Sequence, residues 1–150
     1  METVVYLDSS AIVKRYVKEA GSAEVKETYL RAYSGDRTLA YSIWNIGEVL
    51  GALDRAARMK RLEAKDHATA RIRFVSETRR MAKRGMASIV SVKSSILGDA
   101  WRLLEEKHLY EADALQLATA NHVKADSFLT GDSGLHGAAR EMGFNSTLLG

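Results

Sequence analysis

Cysteine and proline are both missing from the 150 residues. Without cysteine there can be no disulfide, no thiolate metal site and no thiol nucleophile, which excludes zinc-ribbon and cysteine-hydrolase chemistry and fits a cytoplasmic protein. Without proline, the chain is expected to turn on its 11 glycines. A basic leader and a long apolar run are missing too. The opening Met1-Glu2-Thr3-Val4-Val5-Tyr6-Leu7 reaches Asp8 after a short apolar stretch, so neither a signal peptide nor a membrane span is expected. The Asn145-Ser146-Thr147 sequon should then carry no glycan. The four histidines, at 67, 108, 122 and 136, show no metal-ligand spacing and read as surface residues.

What is present is ordinary for a globular chain: 46% hydrophobic and 27% charged residues, with a length near the commonest size of one domain. The expectation is a single domain over residues 1–150, with no repeat or linker. The net charge of +3 is unevenly spread. Residues 54–84 hold eleven Lys and Arg against four Asp and Glu, which leaves the rest of the chain net negative. A segregated basic stretch suits a polyanionic partner, because phosphate contacts release counterions. The alternative is a solvated helix whose Arg and Lys stems cover apolar surface.

Residues 4–7 form a continuous apolar run ending at Asp8, which predicts a strand buried on both faces. A helix capped by Ser9 or Ser10 follows, carrying Ile12, Val13, Tyr16 and Val17 and stopping before Gly21; Ser22 then starts another. Residues 38–42 predict a second strand, succeeded by a helix with Ile46, Val49, Leu50 and Leu53 on one face. A basic helix over 62–84 leads to a third strand over 88–92. Two more helices follow, one carrying Ile96, Leu97, Ala100, Leu103 and Leu104, the other spanning 111–123. The fourth strand is 127–130, then come a helix ending near Gly143 and a short edge strand at 147–149. Buried strands alternating with helices predict an α/β domain with a central parallel sheet and right-handed crossovers.

In open α/β sheets, ligands gather at the carboxyl ends of the strands where the strand order reverses. Asp8 and Asp132 each follow a predicted strand, the first and the fourth, and these adjoin if the order is 3-2-1-4-5. Asp113 falls in the first turn of the helix before strand four. Glu48 points away from the core face of its helix, which also contains Gly47 and Gly51. Each of those glycines costs about 1 kcal/mol relative to alanine, so something is expected to approach that helix closely. Four carboxylates without His or Cys repel one another unless a cation intervenes, and Mg²⁺ or Mn²⁺ matches oxygen donors. Such a centre can activate water against a phosphodiester. Singly, each acid has a plainer reading: Asp8 and Asp132 as helix caps, Asp113 as a partner of the helix dipole, Glu48 as a solvated residue. Their joint placement raises them above it.

Four segments resemble the PIN domains, and within them the VapC-like toxins of toxin–antitoxin pairs. The run from Tyr6-Leu7-Asp8-Ser9-Ser10-Ala11-Ile12-Val13-Lys14-Arg15-Tyr16 to Glu19-Ala20-Gly21-Ser22 resembles the first motif. Glu48-Val49-Leu50-Gly51-Ala52-Leu53 resembles the second. Ala112-Asp113-Ala114-Leu115-Gln116-Leu117-Ala118-Thr119-Ala120 is similar to the third, and Phe128-Leu129-Thr130-Gly131-Asp132, with Leu135, to the fourth. The resemblance implies a three-layer α/β/α domain with strand order 3-2-1-4-5, and Mg²⁺- or Mn²⁺-dependent endonucleolytic cleavage of RNA. It further implies an antitoxin partner and a homodimer, for which the apolar faces of the helices before Glu63 offer a contact. Carried over by position, Asp8, Glu48, Asp113 and Asp132 would bind metal directly or through water and position the attacking water. Ser10 and Thr130 would support them, and Lys14, Arg55, Arg79 and Arg80 would contact substrate. Ser9 stands where threonine is frequent, and Glu111 adds an acid beside Asp113.

Other phosphate chemistries fit less well. A haloacid-dehalogenase-like phosphatase needs a second Asp two residues after the first, where this chain has Ser10. A response-regulator receiver needs an acidic pair near its first strand, and none precedes Asp8. The glycines at 131, 134 and 137 lack a P-loop ending, and no serine lies in a nucleophile elbow. The readings left open are a PIN-like module that binds RNA or protein without cutting, and a stand-alone RNA-processing nuclease.

Overall fold

The computed structural model describes residues 3–150; Met1 and Glu2, which open the segment read above for a leader, lie outside them. The chain runs β1 (Thr3–Leu7), α1 (Ser9–Tyr16), α2 (Ser22–Tyr33), β2 (Arg37–Ser42), α3 (Ile43–Arg58), α4 (Ala64–Lys83), β3 (Ala87–Val90), α5 (Ser94–Lys107), α6 (Glu111–His122), β4 (Ser127–Thr130), α7 (Ser133–Glu141) and β5 (Asn145–Leu148). All five strands are parallel in the order β3-β2-β1-β4-β5, with helices flanking the sheet. No helix among the described residues is long and apolar enough to cross a membrane.

The central strand is apolar from Val4 onward, and its carboxyl end is covered on both faces: Val5, Tyr6 and Leu7 are all buried. Tyr6 pairs in register with Phe128, and their rings stack at 5.2 Å. The chain builds outward from β1 to β2 and β3, then crosses back to place β4 on the other side of β1. The order therefore reverses between β1 and β4, and their carboxyl ends open onto one crevice.

Three boundaries depart from expectation for local reasons. Helix α1 ends at Tyr16 rather than near Gly21, since Val17 is extended and the Ser22 hydroxyl accepts from Glu19 N–H and donates to the Val17 carbonyl. Gly21 instead enters α2 with a φ of +91°, and a Cβ there would lie 2.9 Å from Leu149 Cβ. Strand β3 stops at Val90 because its partner β2 ends opposite it at Ser42, leaving Ser91 and Val92 unpaired in the sheet. Strand β5 starts at Asn145, set by pairing with Ser127.

Helix α1, which carries the first acidic motif, is fastened from below by Glu77 of α4. Arg15 grips that buried carboxylate with two bonds, Nε to Oε1 at 3.0 Å and Nη2 to Oε2 at 2.9 Å. Tyr16 donates to Oε1 at 2.8 Å and Tyr33 of α2 to Oε2 at 2.7 Å. Burial alone would push the Glu77 carboxyl up, but Arg15, Tyr33 and Tyr16 outweigh it and hold the group down at about 2. Because the folded state holds this proton less tightly than the unfolded chain, the stabilisation is full above the ordinary carboxylate range and fades as pH falls toward 2. Glu77→Gln is therefore expected to cost about 3 kcal/mol at pH 7. Denaturant unfolding should show the gap between variant and parent narrow by about half at pH 3; a gap independent of pH would remove Glu77 as an ionised clamp.

Candidate active site

Asp8 leaves the end of β1 in an extended conformation and caps α1, its Oδ1 accepting from Ala11 N–H at 2.9 Å. Only 5% of the residue is exposed. A carboxylate that deep needs donors, and two hydroxyls supply them: Ser10 Oγ donates to Oδ1 at 2.7 Å and Thr130 Oγ1 to Oδ2 at 2.5 Å. Burial nevertheless pushes the Asp8 carboxyl up; the three donors oppose the shift, and the charge of Asp132 adds to it.

Both hydroxyls also reach the other strand end. Thr130 Oγ1 accepts from Asp132 N–H at 2.9 Å, and Ser10 Oγ from Gly131 N–H at 2.8 Å. A Cβ on Gly131 would meet Ser10 Oγ at 3.2 Å and Lys14 Cε at 3.3 Å, so glycine keeps this approach open. Asp132 itself is exposed and caps α7, its Oδ1 accepting from Leu135 N–H at 3.0 Å.

Glu48 comes from the middle of α3, on the side turned toward α1 and α6. Its Oε1 accepts from Ser9 Oγ at 2.7 Å, Gln116 Nε2 at 3.1 Å and Asn45 Nδ2 at 3.4 Å. Asn45 also donates to Ser9 Oγ at 2.8 Å, while its Oδ1 accepts from Ser42 N–H at 2.8 Å in a capping box. Beneath them the buried Tyr6 hydroxyl donates to Gln116 Oε1 at 2.5 Å, with Asn45 Oδ1 at 3.2 Å. Asp113, in the first turn of α6, is half-buried and accepts no hydrogen bond among the described residues. Burial, followed by the charges of Asp132, Asp8 and Glu48, pushes its carboxyl up.

A common pattern runs through the four acids. Asp8, Glu48 and Asp132 each fix one carboxylate oxygen with two or more donors or a helix cap, and leave the other with one donor or none; Asp113 leaves both free. That donor set is all oxygen and suits a hard divalent cation. As they stand, no three acidic, histidine or cysteine side chains among the described residues close tightly enough to hold a metal ion. An octahedral cation that keeps several waters does not require such closure.

Of the substrate contacts expected from sequence, Arg55 lines a groove of about 530 Å³ that starts at Glu48, Ser9 and Ser10. Gly47 and Gly51 form part of its wall, and no other part of the described residues comes within 4 Å of a Cβ built on either, so the close approach expected there is not made among them. Lys14 runs beside Gly131 and pairs with Glu19 at 3.1 Å. Arg80 is not at the site: it donates to Tyr33 and sits 3.8 Å from Glu77, as part of the clamp under α1. Arg79 projects from the solvent side of α4, opposite the stripe of Ala70, Phe74, Thr78 and Met81. Glu111 is turned aside as well, accepting from Trp101 Nε1 at 3.1 Å.

The supports of Glu48 were not singled out from sequence. Ser9 and Gln116 fall inside motif segments without a role assigned toward Glu48, and Asn45 shows only as a polar side chain three residues after the cap Ser42.

The PIN domain family matches residues 5–141. Among solved structures the fold is similar to VapC20 of Mycobacterium tuberculosis, described as a sarcin-ricin loop cleaving toxin, at 17% identity over 93% of this chain and 95% of that one, with a TM-score of 0.65. It is similar also to FitAcB from Neisseria gonorrhoeae (16% identity, 95% of each chain, TM-score 0.64). PAE2754 from Pyrobaculum aerophilum gives 18% identity over 92% of this chain and 81% of that one, with a TM-score of 0.60. At such identities the likeness is one of fold. No curated protein matches the sequence. With nearly the whole chain matched and the parallel 3-2-1-4-5 sheet in place, the chain belongs to the PIN domain family, whose members are generally nucleases.

Proposed function

We propose that this chain is a metal-dependent endoribonuclease, a single cytoplasmic PIN domain serving as the toxin of a VapBC-type pair. The observation that carries the reading is the set of four acids from four parts of the chain whose charges act on one another at the β1–β4 crevice: among the described residues Asp113 has no donor on either oxygen, Glu48 and Asp132 none on one, and Asp8 only Thr130 on its second. Asp8, Glu48, Asp113 and Asp132 would hold Mg²⁺ or Mn²⁺, which when bound supplies an activated water and offsets charge on the attacked phosphate. The chain's own task is orientation. Ser10 and Thr130 fix Asp8; Ser9, Asn45 and Gln116 fix Glu48; and Lys14 and Arg55 flank the crevice to receive phosphate. The resemblance to VapC-like toxins supports an antitoxin partner. A homodimer is supported by exposed apolar side chains: Trp44 of α3 lines a small cleft with Val92, Leu97 and Glu111, Trp101 of α5 donates to that Glu111, and Ile43 and the 84%-exposed Tyr110 neighbour Trp44 and Glu111 in the chain. Trp101 and Tyr110 lie beyond Glu63, farther along the chain than the contact expected from sequence.

RNA cleavage should require added Mg²⁺ or Mn²⁺, since an all-oxygen site releases its metal readily; full activity in excess chelator would end the metal reading. Asp113→Asn tests the site itself. Ionised Asp113 is disfavoured in the fold, so at pH 7 in chelator the variant should melt at the same or a higher temperature than the parent, and any gain should fade on acidification as Asp113 takes up its proton. Cleavage in Mn²⁺ should collapse. An active variant with a lowered melting temperature would return Asp113 to a dipole partner, worth about 0.3–1 kcal/mol. For the dimer, Trp101→Glu should convert the assembly to monomer by light scattering with the fold intact; a parent chain already monomeric at high micromolar concentration would remove the interface.

A further inference from the structure

We propose that the cleft between α1, α2 and α4 is a second binding site, one that takes the phosphates of RNA flanking the scissile bond. The inference rests on the ribonuclease reading and adds where the rest of the strand lies. Five cations, Lys14, Arg15, Lys18, Lys26 and Arg73, line an open cleft of about 340 Å³ to which no acid contributes. Two of them are already matched. Glu19 pairs with Lys14 at 3.1 Å and Glu77 with Arg15 at 2.9 Å.

Lys18, Lys26 and Arg73 are exposed and have no carboxylate partner among the described residues, which leaves three uncompensated charges facing one hollow. The acids of α2 do not relieve them: Glu24 and Glu27 fall on the helix's outer faces by its 3.6-residue turn, and Glu27 pairs with Arg31. Arg73 is steadied over the Tyr16 ring, its guanidinium carbon 5.8 Å from the centroid. Like charges gathered without counter-charge raise the local potential, and a polyanion lowers it by releasing counterions.

The cleft is joined to the carboxylates by Lys14. That side chain lines the cleft, yet its Cε packs beside Gly131, which donates to Ser10 next to Asp8. A strand cut at the β1–β4 crevice therefore continues along α1 onto Lys18, Arg73 and Lys26. This continuity with the reacting centre favours a nucleic-acid backbone over an acidic protein segment. Contacts of this kind position the strand without reading its sequence.

The test uses the full chain with Lys18→Ala, Lys26→Ala and Arg73→Gln combined, beside a control with Lys65→Ala, Arg71→Ala and Lys83→Ala on α4. Binding to fluorescent single-stranded RNA is followed in chelator across a salt series. The cleft variant should lose about 2 from its log–log salt slope, at about 0.7 per phosphate contact on a single strand, equally for two unrelated sequences. The control should keep its slope. In Mn²⁺ the cleft variant should cut a dinucleotide as the parent does and a long RNA less efficiently. An unchanged slope, or an equal loss in the control, would overturn the site. Competition by poly-glutamate that loses the same slope, with RNA binding unaffected by the substitutions, would assign the cleft to a protein instead. A parent chain that binds RNA with this slope but cuts no RNA in Mn²⁺ would overturn the nuclease reading and leave the binding site standing.

Discussion

A carboxylate held almost out of solvent at the end of the central strand is the constraint on which the rest of this structure turns. Burying Asp8 would be prohibitive without donors, and there are three: Ala11 N–H and the Ser10 hydroxyl in the first turn of α1, and the Thr130 hydroxyl on β4. The third can be reached only if β4 lies beside β1. The parallel register that sets Leu7 opposite Leu129 delivers Thr130 to Asp8, and the order 3-2-1-4-5 follows from the same adjacency. The crevice at the topological reversal and the solvation of Asp8 are thus one feature seen at two scales.

Gathering three further acids around that group works against stability, and each is managed differently. Asp132 stays in water, where its charge is screened. Glu48 is tied down by amide and hydroxyl donors that themselves rest on a buried tyrosine. Asp113 sits at the positive end of α6 without a donor among the described residues, and burial, followed by the charges of Asp132, Asp8 and Glu48, pushes its carboxyl up. A fold selected for stability alone would replace it; retention of strain in one place fits a site that something else completes.

The sequence disclosed the parts of this arrangement that follow from local pattern. Apolar runs ending in Asp8 and before Asp132 marked two strand ends, and helix periodicity placed Glu48 and Asp113 correctly on their elements. Whether those elements adjoined depended on strand order, which no local pattern states; the four-motif resemblance supplied it. Asn45 and Gln116 escaped notice because their value lies in long-range hydrogen bonds, with Gln116 reaching 68 residues back to Glu48. Helix α1 ends well before Gly21, whose helix-stop signature is used differently: its positive φ serves the entry to α2.

Charge shows the same limit in a sharper form. Counted along the chain, the basic surplus belongs to residues 54–84, and Arg79 and Arg80 stand in it as an adjacent pair of cations. In space, Arg80 joins Arg15 around Glu77, the one buried acid of that stretch, and Arg79 faces solvent, opposite the buried stripe of α4. That stretch instead sends Arg55 to the groove beside Glu48 and Arg73 to the second cleft, where it meets Lys18 and Lys26 from a distant part of the chain. A buried carboxylate consumes nearby arginines as structural partners. What remains for a polyanion is therefore the set of cations whose carboxylate partners are missing, and only the fold determines which those are.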